Sequence, residues 1–156
     1  MGVEVPAIRL RPATAADYDF TRRVHHGGMR WIAERLFGPW NDDAQDKKFR
    51  QQFVLADVRI VALGTETVGY LQLEVGADEL FLRELHIGAA FQNRGIGTDV
   101  LRLVLAEAER HGKPVIVAVV KFNPARALYE RCGFRTFRED EYKFYMRAGA
   151  SKPRAR

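Results

Sequence analysis

The sequence predicts an α/β domain in which a mixed, mostly antiparallel sheet is flanked by helices. Three observations predict it. Short β-branched runs, such as Val58 to Leu63 and Val115 to Val120, alternate with longer segments of helical periodicity. A glycine turn, Gln92-Asn93-Arg94-Gly95-Ile96-Gly97, stands between the strand-like run Leu80 to Ile87 and an amphipathic segment ending at His111. No internal repeat, low-complexity run or linker divides the chain, and 156 residues at 47% apolar content can bury about two-thirds of their unfolded surface in one core.

Taken in order, Ile8 to Arg11 alternates as a short strand, and Thr14-Ala-Ala-Asp17 supplies capping residues for a helix beginning near Ala15. That helix runs through Val24, is expected to bend or break at Gly27-Gly28, resumes over Met29 to Phe37, and is stopped by Gly38-Pro39. Asn41 or Asp42 caps a further helix to about Phe53. Strands follow at Val58 to Leu63 and Val68 to Glu74, joined by Gly64-Thr65-Glu66-Thr67 as a tight hairpin loop, and the sheet continues through Leu80 to Ile87. The helix from Gly95 to His111 carries Ile96, Val100, Val104 and Ala108 four apart, with Leu101 and Leu105 beside them, and stops at Gly112. After Val115 to Val119, a short helix starts at Pro124, and Arg135 to Asp140 and Glu141 to Arg147 close the chain as a hairpin. Residues 148–156 read as a basic, disordered tail.

Composition excludes some classes of function. The net charge of +5 includes three charges from Lys152, Arg154 and Arg156, which leaves +2 for the rest and no nucleic-acid footprint. No run approaches the roughly 18 apolar residues of a membrane span, and Met1 to Leu10 lacks a signal pattern, so the expected compartment is the cytoplasm. The single cysteine, Cys132, cannot form an internal disulfide and has no obvious base beside it. The four histidines and Cys132 show no metal-ligand spacing, and no metal is expected.

Gly95 and Gly97 remove side chains where backbone must approach a ligand, so that the amides opening the following helix can point at an anion, and a diphosphate would fit. The turn is not a Walker loop, because no Lys-Ser/Thr pair follows. Nor is it a dinucleotide fingerprint, since Val100 stands where a third glycine belongs and Val115 to Val120 carries no acidic ribose partner. What remains is Gln/Arg-x-x-Gly-x-Gly/Ala. With Asn123-Pro124-Ala125-Arg126-Ala127-Leu128-Tyr129-Glu130-Arg131-Cys132-Gly133-Phe134 placed after the next strand, the chain resembles the GCN5-related N-acetyltransferase (GNAT) superfamily over residues 7 to 147.

The resemblance implies a sheet of about seven strands with about four helices, and acetyl-CoA as acyl donor. It implies that Gln92, Asn93, Arg94, Gly95, Ile96, Gly97 and Thr98 hold the pyrophosphate, that Leu85 and Ile87 pair their backbone with the pantetheine arm, and that Asn123, Ala125 and Tyr129 complete the cofactor site. A bulge near Leu85 to Ile87 would free an amide for the oxyanion. Asn123 and Pro124 also have an ordinary reading as helix cap and first helical residue.

Acyl transfer from a thioester to an amine needs a base, and a donor for the leaving thiolate. Tyr129, with an ordinary phenol pKa near 10, suits a thiolate near 8.5. Glu84 is the first choice for the base and His86, on the same strand face, the second. The plain alternative for Glu84 is that it pairs with Arg83 or another cation, or simply lines the sheet. His25 and His26 lie in the early helix, and at most one is expected to face the cleft. Between Val24 and Phe53, aromatic Trp31, Phe37 and Trp40 with acidic Glu34, Asp42, Asp43 and Asp46 could receive a cationic acceptor, or could form an ordinary amphipathic helix pair. Ser151 is the only serine and lies in the tail, so direct transfer is preferred over an acyl-enzyme. The expected function is acetyl-CoA-dependent N-acetylation of a small-molecule or peptide amine, without nucleic acid or membrane and with a homodimer possible. The alternative is a non-catalytic acyl-CoA-binding sensor or assembly module.

Overall fold

The computed structural model describes residues 7–150. The expectations for Met1 to Pro6 and for Ser151 to Arg156 lie outside these residues. The described residues form seven strands and four helices in the order β1 Ile8–Pro12, α1 Tyr18–Phe37, α2 Asp42–Gln52, β2 Val58–Leu63, β3 Glu66–Val75, β4 Leu80–Ile87, α3 Ile96–His111, β5 Val115–Val120, α4 Ala125–Arg131, β6 Arg135–Glu139 and β7 Lys143–Ala148. Hydrogen-bonded strands take the order β1-β2-β3-β4-β5-β7-β6, antiparallel in every recorded pairing except β4 with β5. This is the mixed, mostly antiparallel sheet the sequence predicts. The chain forms two compact units, one from the described residues through Gln72 with Glu84–Ile96, the other from Leu73–Arg83 with the described residues after Ile96.

In the first unit β1, β2 and β3 pair as an antiparallel meander, Ile8 opposite Leu63 and Val58 opposite Gln72, with a register shift between Val61 and Ala62. Their inward residues meet α1 and α2 around Phe49, Val58, Ile60 and Tyr70, against which Tyr18, Phe20, Val24 and Phe53 pack. Helix α2 starts where Asn41 accepts a hydrogen bond from the Ala44 amide at 2.8 Å. Helix α1 ends at Gly38, whose φ of 89° suits a residue without Cβ.

One expectation is corrected here: α1 does not break at Gly27-Gly28 but runs unbroken from Tyr18 to Phe37. Each helical glycine costs about 1 kcal/mol relative to alanine. Burial of Thr21 and Ile32 on either side of the pair outweighs that cost. The sequence cue was local, whereas the reason for glycine at position 28 is tertiary: a Cβ there would lie 2.8 Å from Nδ1 of His86.

In the second unit Leu80–Leu82 of β4 pairs parallel with Val115–Val117, and β5 and β6 flank β7 in antiparallel register. Helix α3 buries Val100, Leu101, Val104 and Ala108 completely, as their four-residue spacing requires. Strand β7 extends to Ala148, one residue into the expected tail, because Ala148 pairs with Val115. Two short 3₁₀ turns, Leu55–Asp57 and Ala89–Phe91, join elements across stretches that carry no helical period.

Two outcomes follow from this packing. A Cβ at Gly69 would overlap the backbone oxygen of His86 and stand 3.1 Å from Cα of Ile87, neither of which can yield. Gly69→Ala is therefore expected to destabilise the protein by about 1–3 kcal/mol, read as a fall of several degrees in thermal midpoint; an unchanged midpoint would refute the packing argument. Asp17 receives both guanidinium nitrogens of Arg11, at 2.9 and 3.0 Å, and the Thr14 amide at 2.8 Å. The Arg11 hydrogen bonds outweigh burial and hold its pKa at about 2 instead of 3.8. A depressed folded pKa gives stability that is present above pH 3.8 and lost as pH falls toward 2. Urea midpoints should then show Asp17→Asn less stable than the wild type at neutral pH and the two converging in acid.

Candidate active site

The turn after β4 is built by the backbone. Ala89–Phe91 makes one 3₁₀ turn, Asn93 adopts φ 63°, Gly95 adopts φ 78°, and α3 then begins at Ile96. Asparagine tolerates the left-handed region and glycine is at home there. The opening amides of α3 have no carbonyl within the helix to serve, and the helix dipole adds partial positive charge at the same point. Gln92, Asn93, Arg94 and Gly95 are exposed, while Ile96 is buried and anchors the turn. The Arg94 guanidinium lies 5.6 Å from the Phe91 ring centre. Gln92, expected to add a donor toward an anion, instead donates its side-chain amide to the Ile87 carbonyl at 2.9 Å, tying the turn to the end of β4.

The same strand end carries Glu84 and His86. Their two-residue spacing puts both side chains on one face, and Oε2 of Glu84 lies 3.4 Å from Nε2 of His86. The other oxygen, Oε1, lies 3.3 Å from Nε2 of His25 on α1. The alternative pairing of Glu84 with Arg83 does not occur, because Arg83 turns to Glu74 at 3.3 Å and stacks on Phe81. Burial by itself would raise the Glu84 carboxyl, but the hydrogen bonds and charge of His25 and His86 outweigh it and hold the pKa below the ordinary value. His25 is pushed the other way: burial lowers its pKa, against the opposing pull of Glu84.

Beneath this pair lies Tyr70, whose hydroxyl is buried without a hydrogen bond among the described residues. Burial, with the Glu84 charge, raises its pKa well above 10 and keeps it neutral. Its ring centre is 5.5 Å from that of His86. A ring nitrogen of each of His25 and His86 and an oxygen of Glu84 lie within 4.8 Å of one another, a donor set that could take a divalent transition metal although the sequence spacing shows no metal motif. A cleft of about 270 Å³ opens beside the cluster, lined by Val24, Gly27 and Gly28 of α1 and by Ile87, Gly88 and Gln92.

The sequence did not reveal the second layer. His26 lies behind His25, with Nδ1 to Nδ1 at 3.0 Å, and its Nε2 is 2.8 Å from Oδ1 of Asp46 on α2. Adjacent helical residues diverge, so only His25 reaches Glu84; that His26 touches both His25 and α2 needed the helix pairing to be known. Asp46, read as a possible acceptor-binding acid, is taken up by His26 and by Arg22 at 3.4 Å. Asp42 accepts from the Trp40 indole at 2.8 Å, and Glu34 pairs with Arg30 at 3.5 Å. Trp31 and Phe37 remain exposed.

In the second unit the Asn123 side chain accepts from the Ala125 amide at 2.9 Å, opening α4 as a cap would. Tyr129 sits on α4 with its ring 5.4 Å from Phe134. Gly97 packs against α4: a Cβ there would lie 3.2 Å from Leu128.

The fold is that of known acetyltransferases. The PaiA N-acetyltransferase of Thermoplasma acidophilum, solved in complex with coenzyme A, superposes with a TM-score of 0.75 at 16% identity, over 92% of this chain and 99% of that one. An acetyltransferase from Thermus thermophilus gives 0.73 at 24% identity, over 94% and 99%. Ard1 from Thermoplasma volcanium gives 0.64 at 13%, over 94% and 99%. A search of curated protein sequences returned no match. The sequence model of the acetyltransferase (GNAT) family matches residues 26–134, a stretch that holds Glu84, the glycine turn and Tyr129, and the chain belongs to that family.

Proposed function

We propose that the protein transfers an acetyl group from acetyl-CoA directly to an amine, and that its base is the pair of imidazoles oriented by a carboxylate held between them. The observation that carries this reading is the pairing of Glu84 with His25 and His86 near the end of β4, just ahead of the turn that begins at Gln92.

The amides from Arg94 to Thr98 receive the pyrophosphate, each favourable contact with the helix dipole contributing about 0.3–1 kcal/mol. The backbone of Leu85 and Ile87 lies beyond the part of β4 paired with β5 and suits hydrogen bonding to the amides of the pantetheine arm, as an added strand would. The acceptor arrives as an ammonium, R–NH₃⁺, and must lose a proton before its nitrogen can attack. A carboxylate of depressed pKa is a poor resting place for that proton. An imidazole nitrogen is the better one. Glu84 thus holds the rings and stabilises the imidazolium, while a ring nitrogen of His86 or His25 carries the proton.

The free amine adds to the carbonyl carbon, the tetrahedral intermediate collapses, and the C–S bond breaks with its electron pair on sulfur. Tyr129 supplies the proton to that thiolate in this reading and is restored by the second proton leaving nitrogen. The net reaction of R–NH₃⁺ with acetyl-CoA gives amide, free thiol and one released proton. The negative charge of Glu84 suits a cationic acceptor, and a small amine or a peptide amine fits the size of the cleft. Among the described residues no helix is long and apolar enough to cross a membrane, and a cytoplasmic site of action is part of the proposal.

Calorimetry with acetyl-CoA tests the cofactor site. Wild type should bind in the micromolar range, and Gly95→Glu, which places a carboxylate and a side chain at φ 78° where the pyrophosphate belongs, should abolish binding. Thiol release against a panel of amines then tests catalysis: Glu84→Gln should lose about 100-fold or more in turnover with acetyl-CoA affinity retained. Equal binding by Gly95→Glu would remove the cofactor assignment, and full turnover by Glu84→Gln would remove the base.

A further inference from the structure

Glu84 presents one carboxylate oxygen to each of two imidazoles, Oε1 to Nε2 of His25 at 3.3 Å and Oε2 to Nε2 of His86 at 3.4 Å. Charge-assisted hydrogen bonds between such groups close to about 2.7–2.9 Å, so both contacts are long. They match another geometry. Nitrogen and oxygen ligands of a tetrahedral zinc ion, each about 2.0–2.2 Å from the metal, stand about 3.4 Å from one another. The three donor atoms lie within 4.8 Å of one another and the His25 and His86 ring centres are 5.2 Å apart, separations that side-chain rotation can close around one ion.

The donor set selects the kind of metal. Two imidazoles and a carboxylate suit zinc and its first-row neighbours, whereas calcium and magnesium take oxygen ligands. The side chains of His25 and His86 are each 12% exposed and that of Glu84 26%, so the donors are sheltered from bulk water. They can still be reached through the cleft that Gly27, Gly28 and Ile87 line. No metal motif is visible in the sequence because two donors lie on β4 and the third comes from α1.

A ligating histidine is normally held by its other ring nitrogen, and that support is present. Nδ1 of His25 lies 3.0 Å from Nδ1 of His26, and Nε2 of His26 lies 2.8 Å from Oδ1 of Asp46. With a metal on His25 Nε2, the His25 proton sits on Nδ1 and donates to His26, whose Nε2–H donates to Asp46. Two neutral rings supply the two protons that these links need. Without the metal, Nε2–H of each ring donates to Glu84. On binding, each of those protons leaves for the other nitrogen of its ring or for solvent, and the electron pair it leaves becomes the bond to the metal. Gly28 keeps room for the second ring, since a Cβ there would lie 2.8 Å from Nδ1 of His86. The Tyr70 hydroxyl is buried without a hydrogen-bond partner among the described residues, and its ring centre is 5.5 Å from that of His86. A buried orphan hydroxyl calls for a partner, and a water in the fourth position of the metal would accept from it.

We infer that His25, Glu84 and His86 form a three-ligand site for zinc or a similar divalent transition metal, open at its fourth position, and that occupancy shuts off acetyl transfer. The second half of this rests on the acetyltransfer reading; the first half does not. The metal takes the imidazole lone pairs that would receive the proton of the amine. It also brings two positive charges to the place where a cationic acceptor must enter. His26 and Asp46 are positioning residues that do not touch the metal.

Metal binding is measured apart from activity. Untagged protein stripped with EDTA and titrated with Zn²⁺ in a calorimeter should bind one ion per chain in the micromolar range or tighter. Co²⁺ should then give the strong visible absorption of a tetrahedral site. No saturable binding by the wild type, or only the weak absorption of an octahedral surface ion, overturns the site whether or not any variant folds. With thermal midpoints confirming that they fold, His25→Ala and His86→Ala should each lose about 100-fold or more in zinc affinity, and Asp46→Asn about tenfold. His111→Ala, at the exposed end of α3, should be unchanged. Wild-type affinity in the His25 and His86 variants also overturns the site. Turnover followed by thioester absorbance should fall as zinc saturates the protein and return with EDTA; undiminished turnover at saturation sinks the inhibition. If the metal-free protein consumes no acetyl-CoA with any amine while zinc binds as expected, the acetyl-transfer reading fails and the metal site stands.

Discussion

A carboxylate drawn partly out of water at the end of β4 sets the terms for its surroundings. Glu84 must be matched by donors or give up its charge, since an unpaired buried anion is among the most costly groups a fold can hold. Two imidazoles meet it, one from its own strand and one from α1. That pairing brings His25 of α1 to within 3.3 Å of the strand's carboxylate. It also explains the small residue at position 28, because a side chain on Gly28 would meet the His86 ring, and at position 69, where one would meet the His86 backbone.

The electrostatics of the cluster divide the labour between groups that a sequence shows only as titratable residues. Glu84 is kept ionised by its partners, His25 is kept neutral by burial, and Tyr70 is kept protonated by burial and by the charge of Glu84. A poor proton acceptor that aligns good ones is the logic of a carboxylate–histidine pair. In the proposed reaction it moves the weight of the base from the carboxylate alone to the carboxylate with its rings.

Much of the architecture was legible because its signals are periodic and local. The bounds of β2 and β4 fell where the β-branched and apolar runs fall, and α3 followed from Ile96, Val100, Val104 and Ala108 spaced one turn apart. The hairpin at Gly64, the stop at Gly112 and the cap at Asn41 are each one residue doing what its side chain, or lack of one, dictates. The glycine turn was recognisable for the same reason. Where reading failed, at Gly27-Gly28, a local propensity of about 1 kcal/mol per residue was outweighed by burial that depends on residues far along the chain.

The sequence by itself determined the family, the order of the elements and the place of the glycine turn, because glycine conformation and apolar period act over a few residues. It could put Glu84 and His86 on one face of a strand, since that is a rule of period two. Only the tertiary structure decided that Glu84 avoids its neighbour Arg83, that Gln92 turns back to Ile87, and that His25 and His26 connect a strand to Asp46 on another helix. The histidine contacts join residues twenty to nearly sixty positions apart, and their selection depends on which charges are desolvated together, a property of the packed chain that no local pattern encodes.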